Sequence, residues 1–216
     1  MAIKHLAGNR IQGTAAERAA LTTNQNFLSE TGNSQGQLDE AANKYGILLA
    51  SNNPLLGEEL ESFSIMLRKR ASPTGNIYAK IYKGDSTTAT ATSTNYFDAS
   101  ELPPEDGTSG NGAYGSRTWT FASGVTLEDG DRIVYEGGSH DGNNQITFRR
   151  ATGGLTDTVS IATYTSSWTS SPSGDPLYGL AVTGGYPSLT ENSIFEESDT
   201  GKHYMWDGST TWNEIA

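Results

Sequence analysis

The feature that most constrains the fold is a series of short runs in which apolar residues occupy every second position. In residues 60 to 70, LESFSIMLRKR, the positions of Phe63, Ile65 and Leu67 follow this pattern. Residues 76 to 83, NIYAKIYK, repeat it after a Ser-Pro-Thr-Gly turn. A period of two places alternate side chains on opposite faces of a β-strand. Five similar runs follow, at residues 117–121, 132–136, 145–150, 158–164 and 177–182. The pattern predicts strands that each bury one face.

The spacing of these runs favours an all-β fold. Several strands with turn signals between them, and no amphipathic helix, are typical of a two-sheet sandwich. The passages SFSIMLRKRASPTGNIYAKIYKGD and TWTFASGVTLEDGDRIVYE resemble the jelly roll found in carbohydrate-binding modules and viral surface proteins. This resemblance implies a jelly-roll-like antiparallel β-sandwich over residues 46 to 186. Because many functions share that architecture, it indicates a fold and not an activity.

The two ends of the chain have a different character. Residues 193 to 212, SIFEESDTGKHYMWDGSTTW, predict a β-hairpin with a turn at Ser198–Gly201 and a second turn toward Trp212. Near the other end, residues Thr14 to Leu21 predict a short helix, with Glu17 in capping-box register. Neither element is stable alone. We therefore expect each of them to dock on another part of a protein.

These two segments, GTAAERAAL at residues 13 to 21 and the hairpin sequence, resemble the two halves of a short module common in structural proteins of tailed phages and related viruses. Ser198 stands where that pattern usually has Thr. The resemblance implies a split attachment module, made of residues 1–25 and 187–216. Residues 26–45 would form a linker or arm with a weak helix at 37–44, and residues 46–186 the inserted sandwich. The implied attachment and oligomerisation residues are Glu17, Arg18, Leu21, Ile194, Phe195, Tyr204, Trp206 and Trp212.

The resemblance implies a virion structural protein displayed on the particle surface, in a capsid-decoration, head-fibre or tail-associated position. Such a protein would contact other virion proteins, form a homo-oligomer and assemble in the host cytoplasm. The net charge of −11 disfavours nucleic acid and anionic membranes as partners. We expect no signal peptide and no membrane insertion, because no apolar run reaches the required length.

A second class of function stays open at this point. A carbohydrate-binding module or adhesin would stack aromatic rings on sugars, and Tyr78 and Tyr82, on one strand face, together with Trp119, are candidate glycan-binding residues for a host-surface glycan. The alternative for these residues is core packing, which strand propensity alone predicts. A third alternative is a subunit of an extracellular filament, in which residues 22–44 complete a neighbour's sheet.

Catalysis and cofactors have little support in the sequence. The three histidines stand in unlike contexts, no glycine cluster has the flanks of a phosphate-binding loop, and no cysteine is present. We therefore expect no enzyme and no catalytic residues. A structural calcium ion at Asp129 and Asp131 is the one cofactor that the acidic loops suggest, although the loop lacks EF-hand spacing and its residues are also ordinary turn formers.

Overall fold

The computed structural model describes residues 4–6, 10–15, 18, 28, 34–38, 40, 42–53, 55–105, 113–122, 124–151, 153–155, 157–172, 174–182, 192–207 and 212–215. In chain order its strands are β1 (Lys4–Leu6), β2 (Arg10–Gly13), β3 (Ser34–Leu38), β4 (Lys44–Leu49), β5 (Leu60–Arg70), β6 (Thr74–Tyr82), β7 (Ala91–Thr92), β8 (Phe97–Asp98), β9 (Gly115–Thr120), β10 (Arg132–Ser139), β11 (Gln145–Arg150), β12 (Val159–Tyr164), β13 (Trp168–Ser171), β14 (Tyr178–Val182), β15 (Ile194–Glu197), β16 (His203–Trp206) and β17 (Trp212–Ile215). A short 3₁₀ helix spans Ala99–Glu101.

The chain divides into two compact units. One consists of Met1–Asn24 together with Gly184–Ala216, and the other of Gln25–Thr183. We call them the terminal unit and the central unit. Each alternating run predicted between residues 60 and 182 forms a strand of the central unit, and the observed bounds lie within three residues of the predicted ones.

The terminal unit is a five-stranded sheet in the order β1-β2-β15-β16-β17. The pairs are antiparallel except for β2 and β15, which run parallel with Ile11 opposite Phe195. Parallel neighbours require a long connection, and here the whole central unit provides it. The sheet therefore contains strands from both ends of the chain.

The central unit is a sandwich of two antiparallel sheets, and its strand order is that of a jelly roll. One sheet holds β3, β11, β5 and β9 as successive neighbours, and the other holds β4, β10, β6 and then β7 with β8. The chain thus crosses from one sheet to the other at most connections, which is the interleaved order of two Greek keys. Strands β12 and β13 extend the second sheet beyond β4, and β14 pairs with β5. The prediction of an all-β, jelly-roll-like sandwich is confirmed.

An aromatic stack fills the centre of this sandwich. The Trp119 ring lies 6.1 Å from Phe63 and 6.3 Å from Tyr135, measured between centroids, and both pairs are close to parallel. Tyr135 in turn contacts Phe148 from the edge. All four side chains are buried, and the Trp119 indole donates a hydrogen bond to the carbonyl of Ile77 at 3.1 Å. Rings of this size supply much of the buried apolar area that stabilises the sheets against each other.

Two helix predictions are wrong or unsupported. Of residues 14 to 21 the structure describes Thr14, Ala15 and Arg18, with one helical hydrogen bond from the Arg18 amide to the Thr14 carbonyl, so a helix over the whole segment is not supported. The weak helix at 37–44 is wrong, because Ser34–Leu38 forms strand β3 along the edge of β11 and β4 begins at Lys44. The segment predicted as a linker therefore contributes to the sandwich.

Candidate functional site

The terminal unit closes through hydrogen bonds between the N-terminal segment and the turn after β15. The Ser198 amide donates to the carbonyl of Gly13 at 2.7 Å. The Ala15 amide donates to both carboxylate oxygens of Asp199, at 3.1 and 3.3 Å. Asp199 therefore accepts from the backbone amide of Ala15, as an N-cap side chain does, although it comes from the far end of the chain. The GTAAER segment and the SDTG turn thus bind each other directly.

A buried ion pair strengthens the same connection. Arg18 Nε lies 2.7 Å from Glu197 Oε1, and the Glu197 side chain is almost fully buried. The other carboxylate oxygen of Glu197 accepts a hydrogen bond from the Thr200 hydroxyl. The Arg18 guanidinium also lies over the Tyr204 ring, 3.6 Å from its centroid. One arginine therefore contacts both strands of the hairpin, through the last residue of β15 and through Tyr204 of β16.

Aromatic packing completes one face of the terminal sheet. Phe195 meets Trp212 edge-on at 5.7 Å, and Trp206 lies 5.2 Å from Trp212, where the two tryptophans are paired across β16 and β17. The buried cluster contains Ile11, Phe195, Tyr204, Trp206 and Trp212. An isolated hairpin is only marginally stable in water, and here Ile11 of strand β2 packs against the aromatic rings and helps to bury them.

The eight predicted attachment residues are placed as follows. Phe195, Tyr204, Trp206 and Trp212 belong to the buried cluster, and Arg18 binds Glu197 and Tyr204. Ile194 is half-buried in the neighbouring position of β15, so its side chain lies on the opposite face. Glu17 and Leu21 lie outside the described residues. The prediction missed Ile11, Glu197 and Asp199, although the last two belong to the hairpin sequence that carried the resemblance.

A second group of side chains lies on the outer face of the second sheet of the central unit. Tyr78, Lys80 and Tyr82 of β6 share this face, as the alternation of buried residues in the strand shows. The Tyr82 hydroxyl donates to Glu136 at 2.7 Å, and Lys44 binds the same carboxylate at 2.6 Å. Lys80 also forms an ion pair with Glu136.

Two lysines and a tyrosine hydroxyl in this group share one carboxylate. Burial alone would raise the pKa of Glu136, but hydrogen bonds from Lys44, Lys80 and Tyr82 outweigh it, and the pKa of this carboxyl is lowered. Burial raises the pKa of Tyr82 far above its ordinary value, and the hydrogen bond to Glu136 raises it further. Near neutral pH, Tyr82 is therefore a neutral hydrogen-bond donor and Glu136 a charged acceptor.

A cavity of about 350 Å³ opens beside these residues. It is lined by Asp85, Thr87, Tyr164, Ser166, Ser167 and Trp168. Trp168 lies 5.1 Å from Tyr82 and 5.0 Å from Tyr164, in both cases edge to face. The sequence offered no signal for this arrangement, because Trp168 and Ser86, which hydrogen-bond here, stand 82 residues apart in the chain.

The three predicted glycan-binding residues lie in different surroundings. Trp119 is fully buried between Phe63 and Tyr135, so neither ring face is open. Tyr82 is also buried, with its hydroxyl occupied by Glu136 and its ring against Trp168. Tyr78 is half-buried and lies 5.5 Å from the exposed ring of Tyr96. Tyr78 and Tyr82 thus share a strand face but contact different side chains.

The predicted calcium residues have protein partners or stand alone. Asp131 is buried and binds the Lys83 ammonium at 2.8 Å through the same oxygen that accepts the Glu128 amide. Burial raises the pKa of Asp131 against the opposing effect of Lys83. Asp129 is exposed. Within the described residues, no group of three or more histidine, aspartate or glutamate side chains is placed to hold a metal ion.

Comparison with known proteins adds no relative. The chain matches no protein-family model, no curated protein and no solved structure. In the described part of the chain, no helix is long and apolar enough to cross a membrane.

Proposed function

We propose that this chain is a virion structural protein that attaches to the particle through its terminal sheet and carries the jelly-roll sandwich as its displayed domain. The observation that supports the proposal is the contact between the two segments that resemble the phage module. Arg18 of the first segment binds Glu197 of the second, and Ala15 binds Asp199. Arg18, Glu197 and Asp199, three of the residues that carry the resemblance, thus contribute to the contacts that hold the terminal unit together.

The location of the insertion fits the same proposal. Strands β2 and β15 lie side by side, so the terminal unit accepts a whole domain between them without losing its own sheet. Domain insertion succeeds where the two attachment points are close together. A particle with many copies of such a protein gains avidity from repetition, and the contacts of each copy need not be strong. Capsid decoration, head fibre and tail-associated protein all remain within the proposal.

Particles purified from cells that produce this protein test the proposal. We expect mass spectrometry to find the chain in the gradient-purified particle fraction and electron microscopy to show it in ordered copies. The variant Arg18→Met, which breaks the ion pair with Glu197, should lower the number of copies per particle. The matched control Tyr96→Ala, which alters the sandwich surface, should leave that number unchanged. Absence of the chain from particles, with recovery only from the soluble fraction, would overturn the proposal.

The alternatives from other functional classes make different predictions. An adhesin is favoured by the Tyr78 and Tyr96 rings, because Tyr96 is 54% exposed and is the large apolar side chain most open to solvent among the described residues. It would bind cells as the free protein. A filament completed by donor strands requires the 22–44 segment on a neighbour, whereas β3 pairs here with β11 of its own chain. The described contacts thus support the filament least.

A further inference from the structure

The cavity beside Trp168 has a rigid aromatic wall. The Trp168 indole donates to the Ser86 carbonyl at 2.8 Å, and its ring contacts the rings of Tyr82 and Tyr164 at interplanar angles of 60° and 64°. The Arg132 guanidinium lies 5.1 Å from the ring centroid. A ring held in this way loses little conformational freedom when a ligand binds, so more of the contact energy appears as affinity.

The loop that contributes Asp85 and Thr87 to the cavity lining is bound to the sheet. Arg132 of β10 binds the Asp85 carboxylate at 2.7 Å and also the carbonyl of Gly84. The Arg132 side chain is 10% exposed, whereas Asp85 is 86% exposed. Asp85 therefore pairs with a mostly buried arginine, while its own side chain lines the cavity and is open to solvent.

The remaining lining residues present hydroxyl groups. Thr87, Ser166 and Ser167 are exposed and Tyr164 is half-buried. Among the residues that the structure describes, none of these four hydroxyls has a hydrogen bond to another protein group. The cavity thus combines an aromatic surface with several unoccupied hydroxyls and one carboxylate.

We infer that this cavity binds one sugar residue of a neutral glycan. A pyranose has a face of C–H groups that packs on an aromatic ring and a rim of hydroxyls that exchange hydrogen bonds with serine, threonine and carboxylate groups. The volume of about 350 Å³ falls within the range of roughly 300–1,000 Å³ typical of small-ligand pockets. The wall contains no unpaired cation among its described residues, and Asp85 disfavours a second negative charge. Acidic sugars therefore fit the site less well than neutral ones.

The inference is independent of particle attachment, because it concerns the isolated protein and a different unit of the chain. The purified full-length chain is applied to an array that contains neutral glycans and glycans with sialic or uronic acids. Titration calorimetry with the best-bound neutral glycan then gives its affinity. We expect binding to neutral glycans and weaker or no binding to the acidic ones.

Two variants test the site itself. Ser167→Tyr fills the cavity from its exposed rim and keeps the core intact, and Trp168→Ala removes the aromatic wall. Each should weaken binding by at least about tenfold, which corresponds to loss of a major contact. Tyr96→Ala removes the exposed ring that favours the adhesin alternative and lies outside the cavity lining, so unchanged affinity in this variant assigns binding to the cavity and not to the Tyr78 and Tyr96 rings. Failure of every neutral glycan on the array, a preference for acidic glycans, or full affinity in Ser167→Tyr would overturn the inference.

Discussion

The ion pair between Arg18 and Glu197 should be the largest single polar contribution to the stability of the terminal sheet. In Arg18→Met, the Glu197 carboxylate stays buried with the Thr200 hydroxyl but without its cation. Breaking a fully buried pair in this way costs roughly 3–5 kcal/mol. Because 21% of the Arg18 side chain is exposed to solvent, we expect about 2 to 3 kcal/mol.

Hydrogen exchange measures this change in the terminal sheet itself. The amides of Glu197 and Trp206 donate within the hairpin, to the carbonyls of Lys202 and Ser193, and report its opening. A loss of 2 to 3 kcal/mol corresponds to a fall of about 30- to 150-fold in their protection, since each 1.4 kcal/mol is a factor of about ten. Chemical shifts of the central unit provide the check that the sandwich keeps its structure.

A double-mutant cycle separates the pair from the loss of either side chain alone. Glu197→Gln is combined with Arg18→Met, and the coupling energy is the departure from additivity. The matched control is the pair Lys202 and Glu214 on the same sheet, which has a comparable 3.0 Å distance but side chains that are about half exposed. Exposed pairs contribute little, so this second cycle should show coupling close to experimental error. A coupling for Arg18 and Glu197 no larger than that of the control pair would show that burial does not strengthen the contact.

Three further predictions concern the central unit. Trp119→Ala removes the centre of the aromatic stack and its hydrogen bond to Ile77, and should lower the free energy of unfolding by about 3–5 kcal/mol. Denaturant titration measures this change, and a value below about 1 kcal/mol would contradict the core assignment. The pKa of Glu136 is lowered in the folded state, so its charge stabilises the fold above the unfolded pKa of about 4.3, and this contribution disappears as the pH falls through the folded pKa. Thermal unfolding should therefore show Glu136→Gln to be less stable than the original protein at pH 7 and equally stable in acid. A stability difference that persists in acid would contradict the charge argument. Gly46→Ala should lower the free energy of unfolding by about 1–3 kcal/mol, because a Cβ at this position would collide with the backbone of Ile133 and Val134. Gly142 has open space around it, so Gly142→Ala should leave the stability unchanged. Equal effects of the two substitutions would refute the steric explanation.

The sequence predicted the strands of the sandwich well because their alternation is strong. In β5 the residues Phe63, Ile65 and Leu67 are all buried, as their period requires. Strand β3 escaped the prediction because SQGQL contains one buried apolar residue, Leu38, and gains its stability from pairing with β11. Gly36 in this strand lies against the Phe148 ring, where a larger residue would not fit. That requirement comes from the partner strand, and local sequence does not express it.

Side chains whose roles depend on distant partners were the hardest to predict. Arg68 alternates with the apolar residues of β5 and reads as an exposed basic residue, yet it is fully buried. Its guanidinium binds Glu105 at 2.8 Å and Thr147 at 3.2 Å, and it lies 4.5 Å from the Tyr114 ring centroid. The same limit applies to the cavity beside Trp168, whose walls come from β12, β13 and the loop after β6. Only the sheet order places those segments side by side.

The parallel pairing of β2 with β15 has a consequence for biosynthesis. The ribosome completes every strand of the sandwich before it makes β15, β16 and β17, so the sandwich can fold before β2 can pair with β15. A chain that terminates after β14 and before β15, between residues 182 and 194, would contain every strand of the sandwich but only β1 and β2 of the terminal sheet. Under the proposed function, products truncated in this interval would lack the completed attachment sheet and would be excluded from assembly by the order of synthesis.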